Sequence, residues 1–461
     1  MVFLAVPELL SAAPIPALRQ SFAAGGQALY LVGGPVRDAL LGRGVADLDF
    51  ATDATPPTIK QLLRTAGARG VYAIGEKFGT IGAIFDSVTV EITTYRSESY
   101  TTGSRKPAVE FGTSLHGDLA RRDLTINAMA LDLSTGEVID PFHGEADLAA
   151  RLIRAVGIPS ERFLEDPLRL MRAVRFSAQL AFEMDPSTAE AIKTVAPSLA
   201  TISRERIAQE MNRILTSDQP AYGIRLLCDL GLMEHVVPEI PLMRGTRNDS
   251  LQHKDVFEHT LVVTSRVPAV LHLRWAALLH DIAKPRTLTI DRGQVHFYGH
   301  DRIGEKMSRR ILGPSGLKYD RDTVDQVSQL VGLHLRPNGY ESDWTDGAVR
   351  RFMREAGPLL PDVLTLSRAD VTSRRRERVE AAQRRVTELE GRCAEISAEA
   401  EVAKLSSPLD GLELMTMFDR TPGPWIREIK DHLLELVLDG DLGMDDKARA
   451  AEIARKLMAQ S

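Results

Sequence analysis

The sequence predicts an α/β N-terminal domain, a small mixed sheet with helices, followed by an all-α remainder. Two observations carry that division. From about Gln20 to Val156 short β-rich runs alternate with helical ones, the pattern of a sheet covered by helices. Beyond Arg151 the chain becomes helical and locally basic, with six arginines against three acids up to Leu180.

The first element is an apolar run, Ala28 to Val32, that stops at Gly33 and Gly34. Glycines there let the backbone approach a ligand closely, and Pro35 has the fixed φ of a first helical turn, so the spacing predicts a helix whose N-terminus suits an anion. Gly42 closes that helix. Asp47 and Asp49 follow, two apart in a second strand-like run, which points both carboxylates to one face. Two carboxylates beside a phosphate-sized cradle suggest a divalent metal holding a nucleoside triphosphate.

Further strand-like runs cover Gly79 to Phe85 and Ser87 to Thr94. Glu91, in the last of these, either brings a third carboxylate to Asp47 and Asp49 or lies on an exposed strand face. Ser97 to Pro107, rich in Ser, Thr, Gly and charge, reads as a mobile loop. In Asp118-Leu119-Ala120-Arg121-Arg122-Asp123 the paired arginines suit phosphates and Asp123 suits a ribose hydroxyl. Asp140-Pro141-Phe142-His143-Gly144 is turn chemistry that closes the domain.

In the basic helical segment, Glu165-Asp166-Pro167-Leu168-Arg169 places Asp166 and Arg169 at i and i+3, neighbours on one helix. They read either as a surface ion pair or as a template for a base edge. As a template, Asp166 would accept from the exocyclic amine of cytosine or adenine and Arg169 would donate to a ring nitrogen, while guanine and uracil would present a carbonyl to a carboxylate.

Residues 31 to 183 then carry a nearly continuous series of motifs: Gly33-Gly34-Pro35-Val36-Arg37-Asp38 with Asp47-Leu48-Asp49, Arg121-Arg122-Asp123-Leu124-Thr125-Ile126-Asn127-Ala128-Met129-Ala130, Asp140-Pro141-Phe142-His143-Gly144, Glu165-Asp166-Pro167-Leu168-Arg169, and Arg172-Ala173-Val174-Arg175-Phe176. In this order they resemble the class II CCA-adding tRNA nucleotidyltransferases of the poly(A) polymerase superfamily, of the bacterial kind with an HD domain. The resemblance implies that Asp47 and Asp49 bind catalytic Mg2+; Glu91 stays a catalytic candidate from the strand pattern alone. The resemblance also implies that Gly33, Gly34 and Arg37 hold the triphosphate, Arg122 and Asp123 meet phosphate and sugar, Asp166 and Arg169 select the base, and Arg172 and Arg175 lie near the nucleotide. The activity implied is addition of CCA to tRNA 3′ ends from CTP and ATP, with an A-adding enzyme or a poly(A) polymerase as alternatives. Ile74 to Gly82 is similar to the CCA-type Gly-x-x-Phe-Gly-Thr pattern and lacks the Arg-Arg-Phe-x-Leu run of the polymerases. The long loop after Glu91 is as in full CCA-adding enzymes rather than CC-only ones.

From residue 181 to 250 the chain is helical, with Ile207, Met211, Ile214 and Leu215 forming an apolar face. A second constellation follows: His259, His280-Asp281 at the end of an apolar helix, and Asp370. Imidazoles and carboxylates on separate helices suit a metal. The set resembles the HD phosphohydrolases, with His300 and His334 as further ligand candidates, and implies a second divalent metal and a phosphohydrolase as the rival function; a degenerate helical scaffold for tRNA is the other reading. Val379, Ala382, Val386, Leu389, Cys393 and Ile396 keep heptad spacing, consistent with a short coiled-coil arm or with packing on the body. Pro422-Gly423-Pro424 starts a last helix with Ile426, Ile429, Leu433 and Leu436 at core spacing. The expected parts are 1–150 (catalytic head), 151–250 (neck and body), 251–373 (HD domain) and 374–461 (arm and tail).

Composition narrows the classes. No run of about 18 apolar residues is present, and the N-terminus has prolines and no basic stretch of the signal-peptide kind. A cytoplasmic protein that meets no membrane is expected. Cys228 and Cys393 are too far apart for a zinc ribbon or a disulfide framework. A net charge of −6 requires any RNA contact to come from a local basic patch.

Overall fold

Alternation of buried and open side chains organises the N-terminal sheet. The computed structural model describes residues 6–45, 48–75, 79–99, 108–111, 114–249, 252–292, 294–372, 376–402 and 407–460. Asp47 and most of the 97–107 segment lie outside the described residues. The chain forms two compact units, the first ending at Pro238 and the second beginning at Glu239.

The first unit opens with helices α1 (Val6–Ser11) and α2 (Ile15–Ala24). Strand β1 (Leu29–Val32) leads into α3 (Gly34–Leu40), β2 (Leu48–Thr52) and α4 (Pro56–Thr65). Strands β3 (Gly70–Gly75), β4 (Thr80–Phe85) and β5 (Val88–Thr94) form a meander. β6 (Arg96–Ser99) and β7 (Ala108–Phe111) pair as a separate antiparallel ribbon, so Ser97 to Ser99, expected in a loop, are strand. After α5 (Leu115–Ala120) come β8 (Ala130–Asp132), β9 (Val138–Ile139) and α6 (Gly144–Ala149). The seven-stranded sheet has the order β3-β4-β5-β2-β1-β8-β9 and is mixed, as expected, because β2 and β5 run parallel while the other neighbours are antiparallel. In β2 and β5 Leu48, Phe50, Val90 and Ile92 are buried, and Asp49 and Glu91 alternate with them on the other face.

The rest of this unit is mostly helical: α7 (Pro159–Glu165), α8 (Leu168–Leu180), α9 (Pro186–Val195), α10 (Arg204–Leu215), α11 (Pro220–Asp229) and α12 (Met233–Val236). A short parallel pair, β10 (Leu152–Ile153) with β11 (Glu183–Met184), interrupts the all-α pattern. Ile207, Met211, Ile214 and Leu215 bury the apolar face of α10 against α8, each contributing roughly 1.5–3 kcal/mol of hydrophobic burial.

In the second unit two hairpins, β12 (Arg247–Asp249) with β13 (Gln252–Asp255) and β14 (Leu288–Asp291) with β15 (Gln294–Phe297), are added to an expected all-α domain. Helices α13 (Val256–Arg266), α14 (Leu271–Leu279), α15 (Lys284–Thr287), α16 (His300–Leu312), α17 (Arg321–Leu333), α18 (Asp346–Ala356) and α19 (Leu360–Asp370) surround a core that includes the fully buried Phe257, Trp275 and Phe352. α20 (Arg376–Val402) buries Ala382, Val386, Leu389, Cys393 and Ile396 and packs on α18 and α19. Its apolar repeat therefore serves packing on the body rather than a projecting coiled coil. α21 (Gly411–Phe418), α22 (Pro424–Asp439) and α23 (Lys447–Gln460) share a small core around Leu414, Leu433 and Val437. Among the described residues no helix is long and apolar enough to cross a membrane.

Candidate active site

Parallel pairing of β2 with β5 sets Asp49 directly opposite Glu91. Opposed residues on neighbouring strands share a face, so two carboxylates stand side by side on the open face of the sheet. Glu91 is exposed and Asp49 half-buried. Oxygen donors of this kind suit a hard divalent cation.

Next to them, at the end of β1, Gly33 has φ 75°, a left-handed conformation that favours glycine. A Cβ on Gly33 would also come within 2.5 Å of Nη1 of Arg122. The turn thus accepts no side chain, and α3 starts at Gly34 with Pro35 in its first turn.

Arg37 on α3 donates through Nη1 to Oδ1 of Asn127 at 2.7 Å and grips Asp38 through Nε and Nη2, each at 2.9 Å. Asn127 donates in turn to Oδ1 of Asp123 at 3.2 Å, and Oδ2 of Asp123 accepts from Nε of Arg172 on α8 at 2.6 Å. Burial opposes the charge of Asp123, but the Arg172 guanidinium and the Asn127 amide outweigh it and hold its pKa down to about 2. Arg122 donates to the Asn127 carbonyl and pairs with the buried Asp118 at 3.2 Å. Arg37, Arg172 and Arg175 all approach the ring of Phe176, at 4.9, 5.7 and 4.3 Å, close enough for its face to attract them. Motifs separated by nearly 140 residues therefore meet as one network of arginines paired with carboxylates around Phe176.

Arg175 is committed elsewhere within it. Its Nη1 donates to both oxygens of Glu210 at 3.0 and 2.9 Å, and both side chains are buried. Burial first of all lowers its pKa, to about 10, so it remains charged at neutral pH. Glu210 was not legible as a site residue, because its partner lies 35 positions away.

The expected pairing of Asp166 with Arg169 on one helix is corrected by the structure. Asp166 lies between α7 and α8 with φ −142° and ψ 99°, because the residue before a proline, here Pro167, is pushed out of the α region. Its Oδ1 accepts from the Leu168 amide at 3.1 Å and its Oδ2 pairs with Arg206 of α10 at 3.1 Å. Arg169 is buried and fixed through Nη1 to Glu165 at 2.6 Å and the Arg162 carbonyl at 3.0 Å, and through Nη2 to the Arg121 carbonyl at 2.9 Å. Each residue is thus held in place by its own separate partners.

In the second unit His259, His280, Asp281 and Asp370 converge, joined by His300 and His334. Nε2 of His259 lies 3.1 Å from Nε2 of His280 and 2.9 Å from Oδ1 of Asp370, which is 3.3 Å from Nε2 of His280. Two ligands each about 2.1 Å from one ion at roughly 90–110° lie about 3.0–3.4 Å apart, so this triad has metal-ligand spacing. His280, His300 and His334 donate through Nδ1 to the carbonyls of Ala277, Phe297 and Val331 at 2.7–2.8 Å, which turns each Nε2 toward the centre. Burial opposes a charge on His280, but Asp281 and Asp370 outweigh it and push its pKa up to about 10. The centre demands positive charge, as a proton or as a metal ion.

An open-faced mixed sheet bearing register-matched carboxylates, next to a glycine turn and a guanidinium network, defines a nucleotidyltransferase, and sequence comparison agrees. A "Poly A polymerase head domain" matches residues 29–154, a "Probable RNA and SrmB- binding site of polymerase A" residues 181–243, and an "HD domain" residues 256–375. An A-adding tRNA nucleotidyltransferase of Deinococcus radiodurans is 34% identical over 91% of this chain and 94% of its own length. A CCA-adding enzyme of Bacillus pumilus is 35% identical over 93% of each. The crystal structure of Bacillus stearothermophilus CCA-adding enzyme in complex with CTP superposes with a TM-score of 0.67 at 27% identity, covering 99% of both chains. The chain belongs to the tRNA nucleotidyltransferase family that contains these CCA-adding enzymes, and it carries an HD domain.

Proposed function

We propose that the protein adds C, C and A in turn to the 3′ end of tRNA, using CTP and ATP and releasing pyrophosphate, in the cytoplasm. The observation that carries this reading is the register of Asp49 with Glu91 beside the Gly33 turn and the Arg37–Asn127–Asp123–Arg172 network. Divalent cations, Mg2+ foremost, would be held by Asp47 and Asp49 with Glu91 alongside, and would supply Lewis-acid stabilisation of the attacking and leaving oxygens. Gly33 and Gly34 would let the triphosphate approach the backbone, and Arg37 and Arg122 would neutralise it. Asp123 would accept from a ribose hydroxyl, and Asp166 and Arg169 would present acceptor and donor to the base edge. We assign the head to residues 1–150, the neck and body to 151–250, the HD domain to 251–373 and the arm and tail to 374–461.

Supplying tRNAs that end before the CCA, after C or after CC, each with labelled CTP or ATP, tests the proposal. Full addition predicts C on the first two and A on the third. The 34% identity to an A-adding enzyme supports a second reading, under which A alone is added and only to the CC end. The HD centre supports an additional metal-dependent phosphohydrolase activity, which should disappear in His280→Ala while nucleotide addition persists.

A further inference from the structure

We infer that a cleft along α18 of the second unit binds one free nucleoside monophosphate, with the base against Trp344 and the terminal phosphate on Arg336, Arg351 and Arg354. The site is additional to the nucleotide site proposed for the head and does not rest on the HD centre.

The cleft has a volume of about 630 Å3, within the roughly 300–1,000 Å3 of cavities that take one small ligand. Ala348, Arg351, Phe352 and Glu355 recur at i, i+3, i+4 and i+7 and so share the face of α18 that lines it. Arg336 and Trp344 join them from the chain before the helix.

The aromatic part of the lining is held in place. Trp344 is half-buried, and its ring meets those of Tyr340 and Phe352 edge-on, with ring centres 5.5 and 6.5 Å away. Its carbonyl accepts from Nη1 of Arg392 at 2.7 Å, and the next residue, Thr345, caps α18 by accepting from the Ala348 amide at 3.2 Å. An indole fixed in this way offers a base a stacking surface with little further loss of side-chain freedom.

The polar part is cationic. Three exposed guanidiniums, those of Arg336, Arg351 and Arg354, stand with one lining carboxylate, Glu355, an excess of two positive charges in a chain whose net charge is −6. A terminal phosphate carries about −1.5 to −2 at pH 7 and matches that excess, whereas a phosphodiester inside an RNA strand carries a single charge. Arg336 pairs with Glu355 at 2.9 Å and Arg351 with Asp439, but both pairs are about half exposed and therefore weak. Forked donation to phosphate oxygens can replace them. An aromatic surface beside guanidiniums selects a planar ring that carries phosphate.

Titrating the full-length protein with AMP while following tryptophan fluorescence tests the inference, since Trp275, Trp344 and Trp425, the three tryptophans of the chain, all lie in the second unit. A saturable change is expected, with adenosine at least tenfold weaker than AMP. Arg351→Gln combined with Arg354→Gln should raise the Kd for AMP tenfold or more, and Trp344→Phe should abolish the fluorescence change, while both variants extend tRNA at the wild-type rate. Asp166→Ala, in the head, should leave the change intact. No saturable change, an unaltered Kd in the double-arginine variant, or a change lost in Asp166→Ala overturns the inference. A Trp344-dependent response to an oligoadenylate without terminal phosphates, which AMP does not reproduce, would give the cleft to an RNA strand and overturn the free-nucleotide site.

Discussion

Asp49 and Glu91 stand opposite each other on two parallel strands that are neighbours in space and about forty residues apart in sequence. Hydrogen-bonded neighbours of this kind place their Cβ atoms about 5 Å apart, so a single cation can engage both carboxylates. Asp49→Asn should lower nucleotide transfer by a hundredfold or more, since lost metal stabilisation costs several kcal/mol. Glu91→Gln should lower it less, because its carboxylate is exposed. Steady-state transfer rates at saturating Mg2+ check both, and Glu91→Gln at wild-type rate would remove Glu91 from the site.

Base choice is the second prediction. Asp166→Ala should weaken use of CTP and ATP and relax discrimination against UTP and GTP by about 10- to 200-fold, the effect of roughly 1–3 kcal/mol of lost base contact. Arg206→Ala should move the same ratio in the same direction by less, since Arg206 only positions Asp166. The ratio of CTP to UTP incorporation decides, and an unaltered ratio in folded Asp166→Ala contradicts a protein template.

A third prediction concerns the buried pair of Arg175 with Glu210. Glu210→Ala strands a buried guanidinium and should cost about 3–5 kcal/mol, whereas Arg175→Met with Glu210→Leu should recover most of it. Thermal unfolding measures this. The double variant should retain the wild-type KM for CTP; a large rise in KM at restored stability would show that Arg175 touches the nucleotide.

Acid sensitivity is the fourth. The folded pKa of Asp123 is about 2, against about 3.9 for an unperturbed aspartate. A depressed carboxylate pKa stabilises the fold fully above pH 4, and that contribution disappears as pH falls from about 4 through 2. Asp123→Asn should therefore be less stable than wild type at pH 7 by about 2–3 kcal/mol, and the gap should narrow in acid. A gap independent of pH would contradict the Asp123–Arg172 pairing.

Much of this arrangement was legible because it is local in sequence. Glycines at 33 and 34, strand alternation at Asp49 and Glu91, and His280-Asp281 at a helix end each report their own geometry. Pro167 was legible too, and its effect on Asp166 follows from sterics alone, yet i, i+3 spacing concealed the helix break. Asn127, which joins Arg37 to Asp123, lay inside a motif but carried no separate signal. Arg206 and Glu210 could not be read, because their partners are chosen by the packing of α10 on α8, 35 to 40 residues away. The hairpins of the second unit, hidden in a segment that reads as helical, escaped for the same reason: pairing partners, not local propensity, define them.

The central claim is that one carboxylate site in the head builds a tRNA 3′ end from CTP and ATP. Incubating a tRNA transcript that lacks CCA with both nucleotides and Mg2+, and sizing the product at single-nucleotide resolution, tests it most directly. The account predicts a product three nucleotides longer with wild type and His280→Ala, and no extension with Asp49→Asn. No extension by wild-type protein, or undiminished extension by Asp49→Asn, would contradict it.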